Sequence, residues 1–290
     1  MKTLYIVTKP LQFFVADIID RKHGSTISEI IVVDMFCNAK PFFDRLKSIN
    51  LMNRCFFSKN RFLSFLVAAW RKPDCLYIDG DIGTRLSLYI CIFKFLSGCE
   101  KIYVYEEGIG TYRNDIYKSG LKKRILNFLG IATHFGGSFF CNGVYVFEPY
   151  KYLYSHSVKK GFEVNPIETL LKDYILDNFE VLCWLFSYDL FNHSLNNESA
   201  VLYLTSYDVK YSVIKEINNQ NLHSYVKLHP HLKTNKFKTD FRNVFFIDNG
   251  IPAELVIIHL SNNFNNVLVK HQGSSVENYM KIDNVDFILV

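Results

Sequence analysis

The sequence has few of the features that mark secreted, metal-binding or membrane-spanning proteins. Its seven cysteines form no Cys-x-x-Cys pair and no zinc-type spacing, so we expect them to be reduced core residues of a cytosolic protein. The apolar stretch 86–96 is interrupted by Lys94 and is too short to span a bilayer. The first apolar run ends at Lys9-Pro10, which favours a first strand over a signal peptide.

Charged residues are also sparse, at 21% of the chain, and the formal net charge is only +5. Lys and Arg are scattered rather than gathered into a stripe, so an anionic small molecule or an acidic membrane surface suits the chain better than nucleic acid. The 49% hydrophobic and 16% aromatic content supplies ample core for 290 residues. That length fits one large α/β domain or two halves.

Short apolar strands alternate with helices along the whole chain. Strands are predicted at residues 4–7, 29–34, 54–57, 75–78, 101–105, 144–147, 200–204, 224–228, 244–247 and 267–269, and residues 170–191 are expected to form one or two helices. This alternation predicts βαβ units and parallel sheets. We therefore expect an α/β fold of two Rossmann-like domains, residues 1–150 and 151–290, facing one another across a cleft lined by strand ends.

Two adjacent carboxylates follow the predicted strand 101–105, in the motif Glu106-Glu107-Gly108. Adjacent glutamates repel each other, which favours a general-base role for one of them, and Gly108 would let a ligand approach the backbone closely. The same residues are also typical of a solvated turn. Asp79-Gly80-Asp81 is likewise interpreted as a turn, rather than as the Asp-x-Asp motif of metal-dependent transferases.

The predicted strand 224–228 runs into His229-Pro230. Proline cannot continue the ladder, so the strand delivers the His229 imidazole to the C-terminal edge of its sheet, where open α/β sheets bind ligands. A strand that merely ends in a turn would show the same dipeptide.

Two further polar motifs open predicted helices in the second half. Gly273-Ser274-Ser275 offers free N–H groups, two hydroxyls and a helix dipole, all suited to a phosphate, although an ordinary serine N-cap is an equally good interpretation. Glu254 lies in the first turn of the helix predicted at 252–260. A carboxylate is favourable there in any case, and it can accept hydrogen bonds from ribose hydroxyls.

Residues 112–130 are basic and amphipathic, with Lys122, Lys123 and Arg124 set against Leu121 and Ile125. The pattern is typical of an ordinary surface helix with a solvated basic face, or of a helix that lies on anionic lipid. The second interpretation would place a cytoplasmic protein in peripheral contact with the inner face of the inner membrane.

The order of these motifs resembles that of the bacterial sialyltransferases of glycosyltransferase family 52, which is related to families 38 and 80. Those families have an Asp/Glu-Asp/Glu-Gly motif, a His-Pro motif and a paired-serine motif in this order on a two-domain GT-B scaffold. The opening Thr8-Lys9-Pro10-Leu11-Gln12 is also similar to the Thr-Pro-Leu-Gln start of family 52, with Lys9 as an extra residue. The resemblance covers most of the chain as motif order.

The resemblance implies inverting, metal-independent transfer of sialic acid from CMP-sialic acid to a hydroxyl of a cell-surface glycan such as lipooligosaccharide, O-antigen or capsule. It implies Glu106 or Glu107 as the base and His229 as the acid or charge partner of the departing phosphate. Implied binding residues are Gln12, Gly108, Lys227, Pro230, Glu254, Gly273, Ser274 and Ser275. No cofactor is implied, because an imidazolium, N–H groups and hydroxyls can neutralise the single phosphate of CMP.

The acidic motif departs from Asp-Asp by one methylene per side chain, so both glutamates stay candidates for the base. A GT-B transferase with another donor, such as a UDP-hexose or a different CMP-linked acidic sugar, would keep the same site residues. A non-catalytic nucleotide-sugar-binding subunit of a polysaccharide assembly complex is the remaining alternative.

Overall fold

The computed structural model of the protein describes residues 1–49, 51–117, 120–189, 199–220, 222–230, 232 and 241–290. These residues form two compact units. The first contains Met1–Met35 and Ala39–Leu170, and the second contains Phe36–Asn38 and Leu171–Val290. Each unit has a parallel β-sheet of its own.

The first unit is a seven-stranded sheet with helices in most of its connections. Its strands are β1 (Lys2–Val7), β2 (Ile27–Val33), β3 (Arg54–Ser58), β4 (Cys75–Ile78), β5 (Lys101–Tyr105), β6 (Gly143–Val146) and β7 (Glu163–Pro166). Its helices are α1 (Pro10–His23), α2 (Ala39–Ser48), α3 (Arg61–Arg71), α4 (Gly83–Ser97), α5 (Leu121–Phe128) and α6 (Pro149–Ser155), and a 3₁₀ turn covers Ile109–Tyr112.

Helix α1 shows how local sequence sets the bounds of an element. Pro10 lies in its first turn, where a missing N–H costs nothing and the proline φ is already helical. The helix ends at Gly24, which has a left-handed φ of 54° and donates its N–H to the Asp20 carbonyl. Three basic residues in the last turn face the negative end of the helix dipole. Residues 8 and 9 are thereby held at the carboxyl end of β1.

The strand order of the first sheet, β3-β2-β1-β4-β5-β6-β7, changes direction between β1 and β4. The chain moves outward from β1 to β3 and then returns to the other side of β1. In open α/β sheets ligands bind at the carboxyl ends of the strands beside such a switch point. The residues that follow β1, β4 and β5 are therefore the candidate site of this unit.

The second unit is a five-stranded sheet with strands β8 (Ser199–Leu204), β9 (His223–Lys227), β10 (Val244–Ile247), β11 (Asn266–His271) and β12 (Val285–Leu289). Its helices are α7 (Leu171–Asp177), α8 (Phe179–Phe186), α9 (Tyr211–Asn218), α10 (Ala253–Asn263) and α11 (Val276–Tyr279). The order is β10-β9-β8-β11-β12, so the switch point lies between β8 and β11.

The central strands of both sheets are buried on both faces, which is why they appear in the sequence as continuous apolar runs. In the first unit Leu4 and Ile6 of β1 pack with Leu76 and Ile78 of β4, all with no exposed surface. Each such side chain contributes about 1.5–3 kcal/mol by burial. The strands of this core present their carboxyl ends, with the residues that follow them, at one edge of the sheet.

The predicted α/β fold of two Rossmann-like domains is confirmed. Two strands, β7 and β12, were not predicted, because both lie at sheet edges and carry polar residues or proline, which edges tolerate. The units divide between Leu170 and Leu171, later than the polar crossing after residue 150 that the sequence indicated. The reason is that β7 pairs with β6 and ties its segment to the first sheet.

Helices α7 and α8 account for most of the helical segment predicted at 170–191, of which residues 190 and 191 lie outside the described part of the chain. Among the described residues, no helix combines the length and apolarity needed to cross a bilayer.

Candidate active site

Glu106, at the carboxyl end of β5, is a buried carboxylate with no exposed surface. Its Oε2 atom accepts hydrogen bonds from the Tyr112 hydroxyl and, at 2.7 Å, from the Phe147 backbone N–H. The Tyr112 hydroxyl in turn accepts from the Glu148 N–H at 3.1 Å. Burial and the neighbouring Glu106 carboxylate hold the pKa of Tyr112 well above its usual range. Glu106 therefore fastens the chain that follows β6 to the end of β5.

Glu107, the next residue, has a partly accessible side chain that is 22% exposed. Its carboxylate forms an ion pair with Lys9, which follows β1. Its backbone N–H donates to the Thr111 hydroxyl at 2.9 Å. Gly108 then adopts φ 112° and ψ −154°, a combination that essentially only glycine allows. The structure thus gives the two adjacent glutamates different surroundings, and only Glu107 is presented to solvent.

A buried polar cluster lies at the switch point between β1 and β4. Gln12 Oε1 accepts from the Thr8 N–H at 2.7 Å, and the Thr8 hydroxyl lies 2.6 Å from Asp79 Oδ2. Arg61 forms an ion pair with the same Asp79 carboxylate. Three buried atoms in the cluster, Gln12 Nε2, Arg61 Nε and Asp79 Oδ1, have no hydrogen-bond partner. An unmade bond of this kind costs about 1–3 kcal/mol, so the cluster is suited to take up water or a small polar group.

The Asp79-Gly80-Asp81 segment is buried at both carboxylates. Asp81 accepts from the N–H groups of Gly136 at 2.9 Å and Ser138 at 2.7 Å. Burial nevertheless raises the pKa of Asp81 to about 6, against the effect of these bonds. Asp81 therefore anchors the loop before β6.

In the second unit, Lys227 is the last residue of β9 and is 4% exposed. Its ammonium donates to the carbonyls of Leu228 at 2.8 Å and Asn249 at 3.0 Å. Burial lowers the pKa of Lys227 to about 8, although the carboxylates of Asp248 and Glu254 oppose this shift. The side chain thus links the end of β9 to the segment that follows β10.

His229 follows β9 at the same edge and is half-buried together with Pro230. Its N–H donates to the Thr205 hydroxyl at 2.9 Å, just beyond the end of the neighbouring strand β8. Its ring lies 4.0 Å, centroid to centroid, from the ring of Tyr207. The His-Pro segment thus ends the strand as predicted, and Thr205 and Tyr207 position it.

Gly273-Ser274-Ser275 follows β11, on the other side of β8. Gly273 has a left-handed φ of 77° and open space where a Cβ would lie. The Ser274 hydroxyl accepts from the Val276 N–H at 3.3 Å, whereas Ser275 at the N-cap makes no side-chain cap bond. Because α11 is a single turn, the hydroxyls and N–H groups provide more of any phosphate affinity here than the helix dipole does.

Two strand ends at this edge are joined by Gln272. Its Oε1 atom accepts from the Tyr203 hydroxyl at 2.7 Å and from the Ser206 N–H at 3.0 Å. The loop that holds Gly273 is thereby tied to the loop after β8, which in turn holds His229 through Thr205.

Glu254 lies in the first turn of α10, which begins at Ala253 with Pro252 as the N-cap rather than as the first helical residue. Its side chain is 93% hidden from solvent, being 7% exposed. Burial raises the pKa of Glu254, and the nearby Lys227 ammonium opposes this shift. Glu254 is therefore close to the buried lysine of β9.

The predicted site residues fall into two groups, one on the carboxyl edge of each sheet. Gln12, Glu106, Glu107 and Gly108 belong to the first, and Lys227, His229, Pro230, Glu254, Gly273, Ser274 and Ser275 belong to the second. Their roles in binding and catalysis stay predictions.

Several neighbours were missed by sequence reasoning. Lys9 was treated as an extra residue, and Asp79 as part of a turn. Thr205, Tyr207 and Gln272 follow the two strands beside the second switch point, so their place after apolar runs was the available signal.

Comparison with known proteins supports the fold. The chain is similar to the α/β-galactoside α-2,3-sialyltransferase from a luminous marine bacterium, Photobacterium phosphoreum, with a TM-score of 0.56 and 14% identity over 100% of this chain and 90% of that one. It was also matched to E. coli ADP-heptose LPS heptosyltransferase II, with a TM-score of 0.41 and 8% identity over 99% and 90% of the two chains. No family model matches the sequence, and no curated protein matches it.

The class of fold is thereby defined. The two parallel sheets, each with polar residues gathered at its carboxyl edge, are two Rossmann-like domains of GT-B type. At this level of identity the similarity to the marine sialyltransferase establishes a shared fold, while activity has to be argued from the site.

Proposed function

We propose that the protein is a GT-B glycosyltransferase that moves sialic acid from CMP-sialic acid to a glycan hydroxyl with inversion of configuration. The observation that carries the proposal is the arrangement of His229 and Gly273–Ser275 at the ends of β9 and β11, joined through Thr205 and Gln272. An imidazole and two serine hydroxyls at one sheet edge suit a phosphate-bearing leaving group. The fold shared with a sialyltransferase along the whole chain supports the same assignment.

The proposed reaction is a single displacement. Glu107 takes the proton of the acceptor hydroxyl, whose oxygen attacks the anomeric carbon of the sugar. The bond between that carbon and the phosphate oxygen breaks, and its electron pair leaves with CMP. Protonated His229 neutralises the departing phosphate by giving it a proton or a hydrogen bond. One attack from the opposite face inverts the anomeric centre.

Glu107 is assigned as the base in preference to Glu106. Glu106 is fully buried and its Oε2 already accepts two hydrogen bonds from the protein. Glu107 is accessible, and its ion pair with Lys9 is partly exposed, so a substrate can replace the lysine. A general base has to reach the proton that it removes, and the accessibility of Glu107 supports its assignment to this role.

The donor is assigned to the second unit. Ser275 keeps its hydroxyl outside any helix-capping bond, so it can donate to phosphate, and Ser274 and the Gly273 backbone lie beside it. Glu254, near Lys227, is proposed to accept from the ribose hydroxyls. The single negative phosphate of CMP requires no metal in this scheme, because the imidazolium and the hydrogen-bond donors balance its charge.

Two measurements test the proposal. Incubation with CMP-sialic acid, another CMP-linked acidic sugar and UDP-hexoses should release CMP from CMP-sialic acid in preference to the others; release of UDP instead would change the donor. Calorimetric titration of CMP should show affinity about 10- to 1,000-fold weaker in Ser274→Ala/Ser275→Ala, since a hydrogen bond to a charged group contributes about 1.5–3 kcal/mol. Unchanged affinity would mean that the nucleotide binds elsewhere.

We also propose that helix α5 rests on an anionic membrane from the cytoplasmic side. Leu121, Ile125 and Phe128 recur at helical spacing on one face and are 74%, 49% and 89% exposed. Lys122 and Arg124 flank this face, and residues 116–130 contain no Asp or Glu. Exposed apolar residues between cations are what an interfacial helix presents to anionic headgroups.

A further inference from the structure

The first unit contains a polar cavity of about 900 Å³ that is separate from the strand-end residues described above. Its lining includes Tyr117, Lys123, Asn127, Thr133, His134 and His156. The volume falls within the range of about 300–1,000 Å³ that is usual for ligand sites. Asn127 and Lys123 come from α5, on the side opposite to its exposed apolar face.

Two stacked histidines form one wall of the cavity. The rings of His134 and His156 lie 4.6 Å apart, centroid to centroid, with an angle of 15° between their planes. Burial lowers the pKa of His134 to about 4 and also lowers the pKa of His156, and the Lys123 ammonium acts in the same direction on both. Both imidazoles are therefore neutral at physiological pH, and each offers one donor and one acceptor.

The hydrogen bond of His156 fixes its tautomer. Its Nε2 atom lies 2.9 Å from the Thr111 carbonyl, which can only accept, so Nε2 carries the proton and Nδ1 is the acceptor. Among the residues that the structure describes, none makes a hydrogen bond to the His134 ring. The hydrogen-bonding capacity of that ring is left for the contents of the cavity.

The charges around the cavity nearly cancel. Lys123 is one cation, and its ammonium already donates to the Asn114 carbonyl at 3.1 Å. Asp115 is one carboxylate, and Arg113 already holds it in a two-pronged ion pair. The remaining lining offers neutral amides, hydroxyls, imidazoles and one tyrosine ring. Such a surface matches an uncharged, hydroxyl-rich molecule better than it matches a nucleotide or a phosphate.

The cavity lies next to the candidate base. Thr111 has no exposed surface and bonds to both the cavity wall and the candidate base. Its carbonyl accepts from His156, and its hydroxyl accepts from the Glu107 N–H at 2.9 Å. One buried residue thus separates the backbone of Glu107 from the cavity wall. The cavity wall is thereby tied to the backbone of Glu107 through a single residue.

We infer that this cavity binds the acceptor as an uncharged oligosaccharide, with His134 and Asn127 donating to and accepting from its hydroxyls, His156 Nδ1 accepting from them, and Tyr117 packing on a sugar face. The inference rests on the proposed function and names the acceptor class for it. The histidine pair acts as a neutral hydrogen-bonding wall and takes no part in proton transfer.

The inference is tested by ligand-observed NMR with lactose, N-acetyllactosamine, maltose and N-acetylglucosamine at tens of millimolar. At least one of these neutral sugars should bind the wild-type protein. His134→Phe keeps the ring stack and removes both nitrogens. Asn127→Ala removes the side-chain amide, whose Oδ1 accepts from the Thr133 hydroxyl at 2.8 Å, at an exposed helix position. Each variant should weaken binding about tenfold, the effect of roughly one lost hydrogen bond.

Lys122→Ala is the matched control, because Lys122 lies on α5 beside the lining residues but outside the cavity. It should bind the sugars as the wild type does. The inference is overturned if none of the sugars binds the wild type, or if both cavity variants bind as the wild type does. CMP titration of the same proteins separates the two proposals. If the wild type does not bind CMP, the donor assignment is refuted, whereas the sugar titrations still test whether the cavity binds a neutral sugar.

Discussion

Alanine substitution should mainly lower the melting temperature at Glu106 and mainly lower turnover at the adjacent Glu107. Glu106→Ala removes the acceptor of two hydrogen bonds, from the Tyr112 hydroxyl and the Phe147 N–H, in a site with no exposed surface. Hydrogen bonds to a charged group contribute about 1.5–3 kcal/mol each, so the loss is about 3–6 kcal/mol. For a unit of this size each kcal/mol shifts Tm by about 2–4 °C. We expect Tm to fall by about 6–24 °C.

Glu107→Ala breaks one ion pair whose side chains are 39% and 22% exposed. Exposed pairs contribute about 0–1 kcal/mol, so Tm should change by no more than a few degrees. Turnover should fall by about 10²–10⁴-fold, the usual effect of losing a general base.

Differential scanning calorimetry and CMP release with a working acceptor measure both properties on the same preparations. A Glu107→Ala variant that turns over like the wild type would refute the base assignment. A Glu106→Ala variant that is inactive yet melts like the wild type would reverse the two roles.

Three further outcomes are expected. His229→Ala should lower transfer by about 10²–10⁴-fold and leave Tm unchanged; wild-type turnover at saturating donor would refute the acid role. The folded-state pKa of Lys227 is about 8, against 10.5 in the unfolded chain. Between these pH values the unfolded chain binds more protons, so the free energy of unfolding rises with pH there. Urea unfolding should show this rise in the wild type and not in Lys227→Met; the same pH dependence in both proteins would contradict it. Phe128→Ser should weaken co-sedimentation with anionic vesicles at low salt, and added salt should weaken it in the wild type; equal binding by both proteins would remove α5 from the membrane contact.

The fold could be predicted because its central strands are short apolar runs separated by helices. Runs such as residues 75–78 are buried on both faces, so their sequence carries the signal without knowledge of their neighbours. The edge strands β7 and β12 have one partner and one open side, and their mixed sequences carry little of that signal. The edge strands β3 and β10 were predicted because they carry apolar runs, so the mixed sequence of β7 and β12, and not edge position alone, hid them.

The candidate site was predicted only as far as strand ends could be recognised. Glu107 and His229 each follow an apolar strand, and the rule that ligands bind at such ends selects them. The partner of Glu107 is Lys9, which follows another strand, β1; no spacing rule joins residues so far apart. The choice between Glu106 and Glu107 likewise depended on Tyr112 and Phe147, which meet Glu106 only in the folded chain.

The two faces of helix α5 would affect how the reaction rate depends on the concentration of the acceptor. It exposes Phe128 on one side and lines the sugar cavity with Asn127 on the other, and a helix is only about 10 Å thick. Adsorption through the exposed side would hold the cavity within that distance of the headgroups. An acceptor anchored in the same bilayer would then be encountered in two dimensions, so turnover would follow its density per unit of membrane area, whereas a free glycan would follow ordinary bulk kinetics.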